Sequence, residues 1–243
     1  MTTETTTPLE GRVAVITGAS SGIGAALAAQ LHAQGVRLGL LSRAGADLGL
    51  AGALGIACDV RSADAVEDAV ARVAGELGVP DIVVANAGVG HYADFVDTPL
   101  ERSVEMIETN LLGTIHLYRS AVPRMLDAGV QGDLVTVASE AGRRGFPGEA
   151  VYCASKFGQV GLSRALDGEL REKGIRVTVL CPGGVHTEFA VGGGRGRSHD
   201  DPTVQAMMTA EDVADLAVYA VTRPRGMRLT ELALRPMSEA IWG

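Results

Sequence analysis

A chain of 243 residues with 47% hydrophobic residues has room for one α/β domain with a large core. Its net charge of −8 argues against a nucleic-acid partner, which needs a basic face, and no apolar run approaches the roughly 18 residues of a membrane span. The three cysteines, Cys58, Cys153 and Cys181, lack metal-site or disulfide spacing and read as reduced thiols of a cytoplasmic protein without a metal.

Residues 1–10 are Thr-rich, with neither the basic nor the apolar segment of a signal peptide, and are expected to form a disordered arm. Residues 11–243 are expected to form a single domain. Residues 12–17 (RVAVIT) are a short β-branched apolar run, the pattern of a buried strand. Gly18-Ala19-Ser20-Ser21-Gly22-Ile23-Gly24 follows, then an Ala/Leu-rich helix over 25–34. Glycines let a ligand approach the backbone closely, and a helix N-terminus offers unpaired N–H groups, so the unit reads as a pyrophosphate cradle. A second strand over 36–42 ends in Ser42-Arg43, with no acid until Asp47. At that place an acid would bind a ribose 2′-hydroxyl and an arginine a 2′-phosphate, so the sequence favours NADP(H) over NAD(H).

Residues 44–55 are too short and glycine-rich for a full crossover helix, and a loop or helical stub is expected. A third strand over 54–57 ends in Cys58-Asp59-Val60. Ser62 is a natural N-cap for a helix over 63–77. A fourth strand over 81–85 leads into Asn86-Ala87-Gly88, at a strand end where open α/β sheets bind ligands. Residues 91–97 are irregular. A long helical pattern runs over 98–128, with bends expected near Gly113 and Pro123. Asn110 lies within it, where a buried amide must find partners. Strand five covers 132–138 and ends at Ser139; residues 140–149 are a loop. Strand six covers 175–180. The glycine-rich segment within 188–208 reads as a flexible substrate loop, its Arg195 and Arg197 either meeting an anion or standing free at the surface. Thr209 caps a last helix over 210–221, and 229–234 form a final strand. Seven strand-like runs alternating with helices argue for a Rossmann-type, doubly wound, mostly parallel sheet with helices on both faces.

The chemistry centres on Tyr152-Cys153-Ala154-Ser155-Lys156. Tyr152 and Lys156 are four residues apart in a helical stretch, so both side chains share one face. A free phenol has a pKa of about 10. A cation beside it is expected to lower that value and make the pair a working proton donor and acceptor.

Taken together, Thr17 to Gly24, Asp59-Val60, Asn86-Ala87-Gly88, Asn110, Ser139, Tyr152-x-x-x-Lys156, and Pro182-Gly183 with Val185 and Thr187 resemble the short-chain dehydrogenase/reductase family over nearly the whole chain. The resemblance implies hydride transfer between NADP(H) and a small carbonyl or alcohol. It implies that Gly18, Ser20, Ser21, Gly22, Ile23 and Gly24 hold the pyrophosphate, and Ser42 and Arg43 the 2′-phosphate. Asp59 and Val60 would meet the adenine, and Asn86, Ala87 and Gly88 would support the cofactor. Asn110 would anchor a water, Ser139 would polarise the substrate oxygen, and Tyr152 would be the acid or base. Lys156 would bind the nicotinamide ribose. Pro182, Gly183, Val185 and Thr187 would line the nicotinamide end, with Val185 and Thr187 holding its carboxamide. It also implies a homo-oligomer, dimer or tetramer, paired through the 98–128 helix and the Tyr152 helix. Two departures are visible: a short connection between strands two and three, and Ala85 where a second Asn is common. The alternatives are a regulatory dinucleotide-binding protein and a non-redox epimerase or dehydratase.

Overall fold

Apolar runs too short for helices become the centre of the molecule. A computed structural model describes residues 6–239. Its strands are β1 (Val13–Thr17), β2 (Arg37–Ser42), β3 (Leu54–Ala57), β4 (Ile82–Ala85), β5 (Asp133–Val137), β6 (Arg176–Pro182) and β7 (Glu231–Leu234). All seven join one parallel sheet in the order β3-β2-β1-β4-β5-β6-β7. Every residue of β1, β4, β5 and β6 is buried, which is why these strands are continuous apolar runs rather than alternating ones. The chain runs outward from β1 to β3, then returns to the other side of β1 as β4. That reversal leaves a crevice at the carboxyl ends of β1 and β4.

Two helical layers cover the sheet. On one face α1 (Gly22–Ala33) and α8 (Ala210–Val221) pack Leu27, Leu31, Val213 and Ala217 against Ala14, Ile16 and Leu40. On the other, α2 (Ala63–Glu76), α4 (Gly113–Asp127) and α5 (Ala150–Leu170) set Val66, Val70, Leu117, Met125 and Leu170 on Val15, Leu41 and Val83. The expected caps are in place. Ser62 accepts the Ala65 N–H at 3.2 Å, and Thr209 and Asp212 form a reciprocal capping box on α8.

Several expectations need correction. The first helix begins at Gly22, inside the glycine turn. The long helix is α3 (Leu100–Met106), a π-helical turn (Ile107–Leu112) and α4, which runs on through Pro123. β7 begins two residues later than expected, at Glu231. The 188–208 segment contains two short helices, α6 (Glu188–Val191) and α7 (Pro202–Gln205). Of the expected arm, residues 1–5 lie outside the described residues. The remainder is docked: Thr7 N–H reaches Thr222 O at 2.7 Å, and Leu9 is buried in the core.

Candidate active site

The glycine turn is built by steric necessity. Gly18 has φ +64°, and a Cβ there would lie 2.8 Å from Ala87 Cα. A Cβ on Gly24 would lie 2.6 Å from the Asn86 amide nitrogen, so that glycine lets α1 close onto the turn after β4. The same amide donates to Thr17 O at 2.9 Å and Gly18 O at 3.1 Å, tying the ends of β1 and β4 together. The result is a cleft of about 310 Å³ at the carboxyl edge of the sheet.

Nineteen of the expected site residues line this cleft. At one end are Gly18, Ser20, Ser21, Gly22 and Ile23; past the ends of β2 and β3 are Ser42, Arg43, Asp59 and Val60. Asn86, Ala87 and Gly88 form the middle. Ser139, Tyr152, Lys156, Pro182, Gly183, Val185 and Thr187 close the far end. Gly24 and Asn110 are absent from the wall. Gly24 works behind it, as the close-packing argument requires. Asn110 is fully buried, and its amide is engaged by protein: Oδ1 accepts Val89 N–H at 2.8 Å, and Nδ2 donates to Val89 O and Ser155 Oγ, each at 2.9 Å. It fastens the loop after β4 to the Tyr152 helix, and the π-helical turn is the local backbone that carries it. The Asn110 amide is thus a brace between two elements.

Tyr152 and Lys156 sit on α5 and are both buried. Ser139 follows β5, accepts Ala141 N–H at 3.1 Å and acts on the Tyr152 phenol to lower its pKa. The Lys156 ammonium donates to Val137 O at 3.1 Å and lies 5.7 Å from the Tyr152 ring centroid. The expected electrostatics are overturned. Burial pushes the phenol upward, outweighing the hydrogen bond from Ser139, with Glu149 and Cys153 pushing the same way. Burial also pushes Lys156 down to about 7, so the amine carries only part of a charge near neutrality. Burial, and not the helical spacing to Lys156, sets the direction at the phenol.

Past the end of β3 the sequence reading missed Arg61. It lines the cleft and holds the Asp59 carboxylate through Nε at 3.0 Å and Nη2 at 2.5 Å. These hydrogen bonds from Arg61, with Arg43 also contributing, hold the Asp59 carboxyl below its usual range. Arg195 also lines the cleft, against the surface reading. For Arg61, the only sequence signal is its place two residues past Asp59. No metal-ligating cluster exists among the described residues, and no described helix is long and apolar enough to cross a membrane.

A doubly wound parallel sheet with a glycine turn opening its first helix defines a dinucleotide-binding α/β protein. The family described as short chain dehydrogenase matches residues 12–195. The chain therefore belongs to the short-chain dehydrogenase/reductase family of oxidoreductases, which bind a nicotinamide dinucleotide and act on small molecules. It is 39% identical to an uncharacterized oxidoreductase of Mycobacterium tuberculosis, covering 97% of this chain and 95% of that one. A glycine betaine reductase of Emericella nidulans is 35% identical over 96% of this chain, but the match spans only 19% of that longer protein. Among solved structures, an alcohol dehydrogenase of Thermococcus sibiricus complexed with 5-hydroxy-NADP superposes with a TM-score of 0.82 at 28% identity, covering 96% of this chain and 99% of that one. A 3-ketoacyl-(acyl-carrier-protein) reductase of Brucella melitensis complexed with NADH gives 0.83 at 27%, covering 93% and 97%.

Proposed function

We propose that this chain is an NADP(H)-dependent oxidoreductase that moves a hydride between the nicotinamide and a small carbonyl or alcohol, with Tyr152 as general acid and base. The observation that carries the reading is the meeting of Ser139, Tyr152 and Lys156 at one end of a cleft whose other end is the glycine turn. A bound nicotinamide supplies the hydride chemistry. The chain binds and orients: Ser139 holds the substrate oxygen beside the phenol, and Tyr152 gives that oxygen its proton as the carbon is reduced. The upward push on Tyr152 suits this direction. The phenol is fully protonated at neutral pH, and an alkoxide is a far stronger base than a phenolate, so the transfer still runs downhill. Oxidation needs the phenolate and gains from alkaline pH. Lys156 meets the nicotinamide ribose, and Asn110 is a positioning residue that sets the loop after β4 against α5.

The NADP(H) preference is supported by charge at the adenosine end. Arg43 and Arg61 both line the cleft there, and the Asp59 carboxylate is already engaged by Arg61. Three buried, unpaired thiols fit a reducing compartment such as the cytoplasm. Tyr152→Phe keeps the ring and removes the proton. With NADPH and a panel of small ketones and aldehydes, it is expected to lower turnover by at least about 10²-fold, the usual contribution of general acid catalysis, while NADPH affinity stays within a few-fold. Near-normal turnover in that variant would sink the assignment.

The family resemblance also supports a homo-oligomer. Exposed Leu100 on α3, Leu112 beside α4 and Phe157 on α5 are the apolar side chains that a second copy would cover. Light scattering is expected to give a dimer or tetramer mass; a monomer at micromolar concentration refutes it.

A further inference from the structure

The wall beside the Tyr152 phenol is aromatic. Tyr92, from the loop after β4, lies 6.2 Å from Tyr152 between ring centroids, and Phe189 on α6 lies 5.8 Å from it. Into this box folds Arg195. Its guanidinium carbon sits 3.5 Å over the Tyr92 ring and 5.8 Å from that of Phe189, and its Nη2 donates to the Tyr92 hydroxyl. The loop that carries it is fastened by Tyr92 N–H to Gly193 O at 2.8 Å. Arg195 is thus placed by packing one ring away from the phenol, with its side chain only 17% exposed.

Its pairing is incomplete. The Arg195 Nε is buried and has no hydrogen-bond partner. Glu149 Oε1 stands 3.7 Å from Nη2, outside hydrogen-bonding distance. Burial pushes Glu149 up to about 7, so near neutrality it is only partly an anion. Burial, with the like charge of Arg197, pulls Arg195 down to about 9. Arg143, by contrast, reaches Glu140 at 3.0 Å and Glu231 at 2.8 Å. A buried polar atom without a partner, at the mouth of a reaction site, needs a reason. A guanidinium fork in an apolar box is the chain's own recogniser for a carboxylate.

We propose that Arg195 is the anchor for a substrate carboxylate, so that the substrates are short hydroxy acids and the corresponding oxo acids. This inference rests on the hydride-transfer reading above and names its substrate class. The carboxylate takes no part in the bond changes. In oxidation the carbinol carbon gives a hydride to the oxidised nicotinamide and its hydroxyl gives a proton to Tyr152; reduction reverses both. Arg195 fixes which end of the molecule faces the phenol, and Tyr92 fixes Arg195.

The test uses the full chain saturated with NADP+ and has two arms. In calorimetry, propionate is expected to bind wild type and to bind Arg195→Gln at least 10-fold more weakly, while propionamide binds neither appreciably. In steady-state kinetics, wild type is expected to prefer 3-hydroxybutyrate to its methyl ester. Arg195→Gln is expected to cut kcat/KM for the acid by about 10²-fold, mainly through KM, and to leave the ester within about 3-fold. Arg195→Lys is expected to recover part of the loss. Equal losses on acid and ester would make Arg195 a structural plug and overturn the proposal, as would propionate binding that ignores the substitution. Arg195-dependent propionate binding without oxidation of acid, ester or any simple alcohol would instead keep the anion site and remove the hydride-transfer reading.

Discussion

Charge is buried at both edges of the sheet, and the two edges treat it in opposite ways. At the amino edge, Arg12 meets Asp81 at 2.5 Å and Asp133 at 2.8 Å, and Arg176 meets Asp133 at 2.7 Å. Arg225 closes the cluster on Asp133 at 3.2 Å. Arg176 also donates to the carbonyls of Val221, Arg223 and Met227, so the cluster ties the end of α8 to β5 and β6. At the carboxyl edge, the Lys156 ammonium has one backbone carbonyl, and Arg195 stands on a ring with its Nε unmatched. Buried ions that are paired and hydrogen-bonded hold a fold in one arrangement; buried ions with incomplete pairing weaken it and are open to a ligand. Two buried cations with incomplete pairing, Lys156 and Arg195, both line the cleft.

The amino edge gives the largest expected effect. Asp133→Ala would leave the guanidinium groups of Arg12, Arg176 and Arg225 facing one another without their shared carboxylate. Removing one partner of a buried pair costs about 3–5 kcal/mol, to be measured by urea unfolding at pH 7. NADP+ affinity of the folded fraction is expected to stay unchanged, because none of the cluster lines the cleft. A loss below about 1 kcal/mol would mean that water screens this edge as it does a surface pair, and the contrast between the edges would fail.

How much of this was legible beforehand follows from where each feature is decided. Ser62 and Thr209 announce their helices because a cap is a local hydrogen bond within three residues. The glycine turn is legible because a strand, a turn and a helix are adjacent in sequence. The central strands β1 and β4 are legible as apolar runs, since a parallel strand buried on both faces leaves no other pattern. What depends on distant partners was hidden. The π-helical turn is held by Asn110, whose amide reaches Val89 and Ser155, the latter 45 residues away. Arg195 sits among glycines, a composition that says flexible, and its place is set by Tyr92, 103 residues earlier. The docking of Leu9 depends on a core that does not exist until α1 and α8 have packed. The pKa direction expected at Tyr152 rests on spacing alone. Spacing says which groups are neighbours; burial, which decided the sign, belongs to the folded state.

Lys156 gives the smaller and more instructive effect, because its sign is opposite to that at Asp133. The amine ordinarily titrates near 10.5 and is pushed to about 7 in the folded protein. Below pH 7 the folded chain holds the proton at full cost, and that cost fades as pH rises towards 10.5, where the unfolded chain also releases it. Lys156→Met fills nearly the same volume without a charge. It loses the hydrogen bond to Val137 O, worth about 1 kcal/mol, and escapes a desolvation penalty several times larger by the same linkage. The variant without ligand is expected to be more stable than wild type by on the order of 2 kcal/mol at pH 7, with a clearly smaller advantage at pH 9.5, by urea unfolding at both values. Turnover should fall with it. A gain in stability at the carboxyl edge, set against a loss at the amino edge for an equally buried charge, is what separates an ion kept for a ligand from one kept for the fold. If Lys156→Met is less stable than wild type at pH 7, the amine is already satisfied within the protein and the two edges obey the same rule.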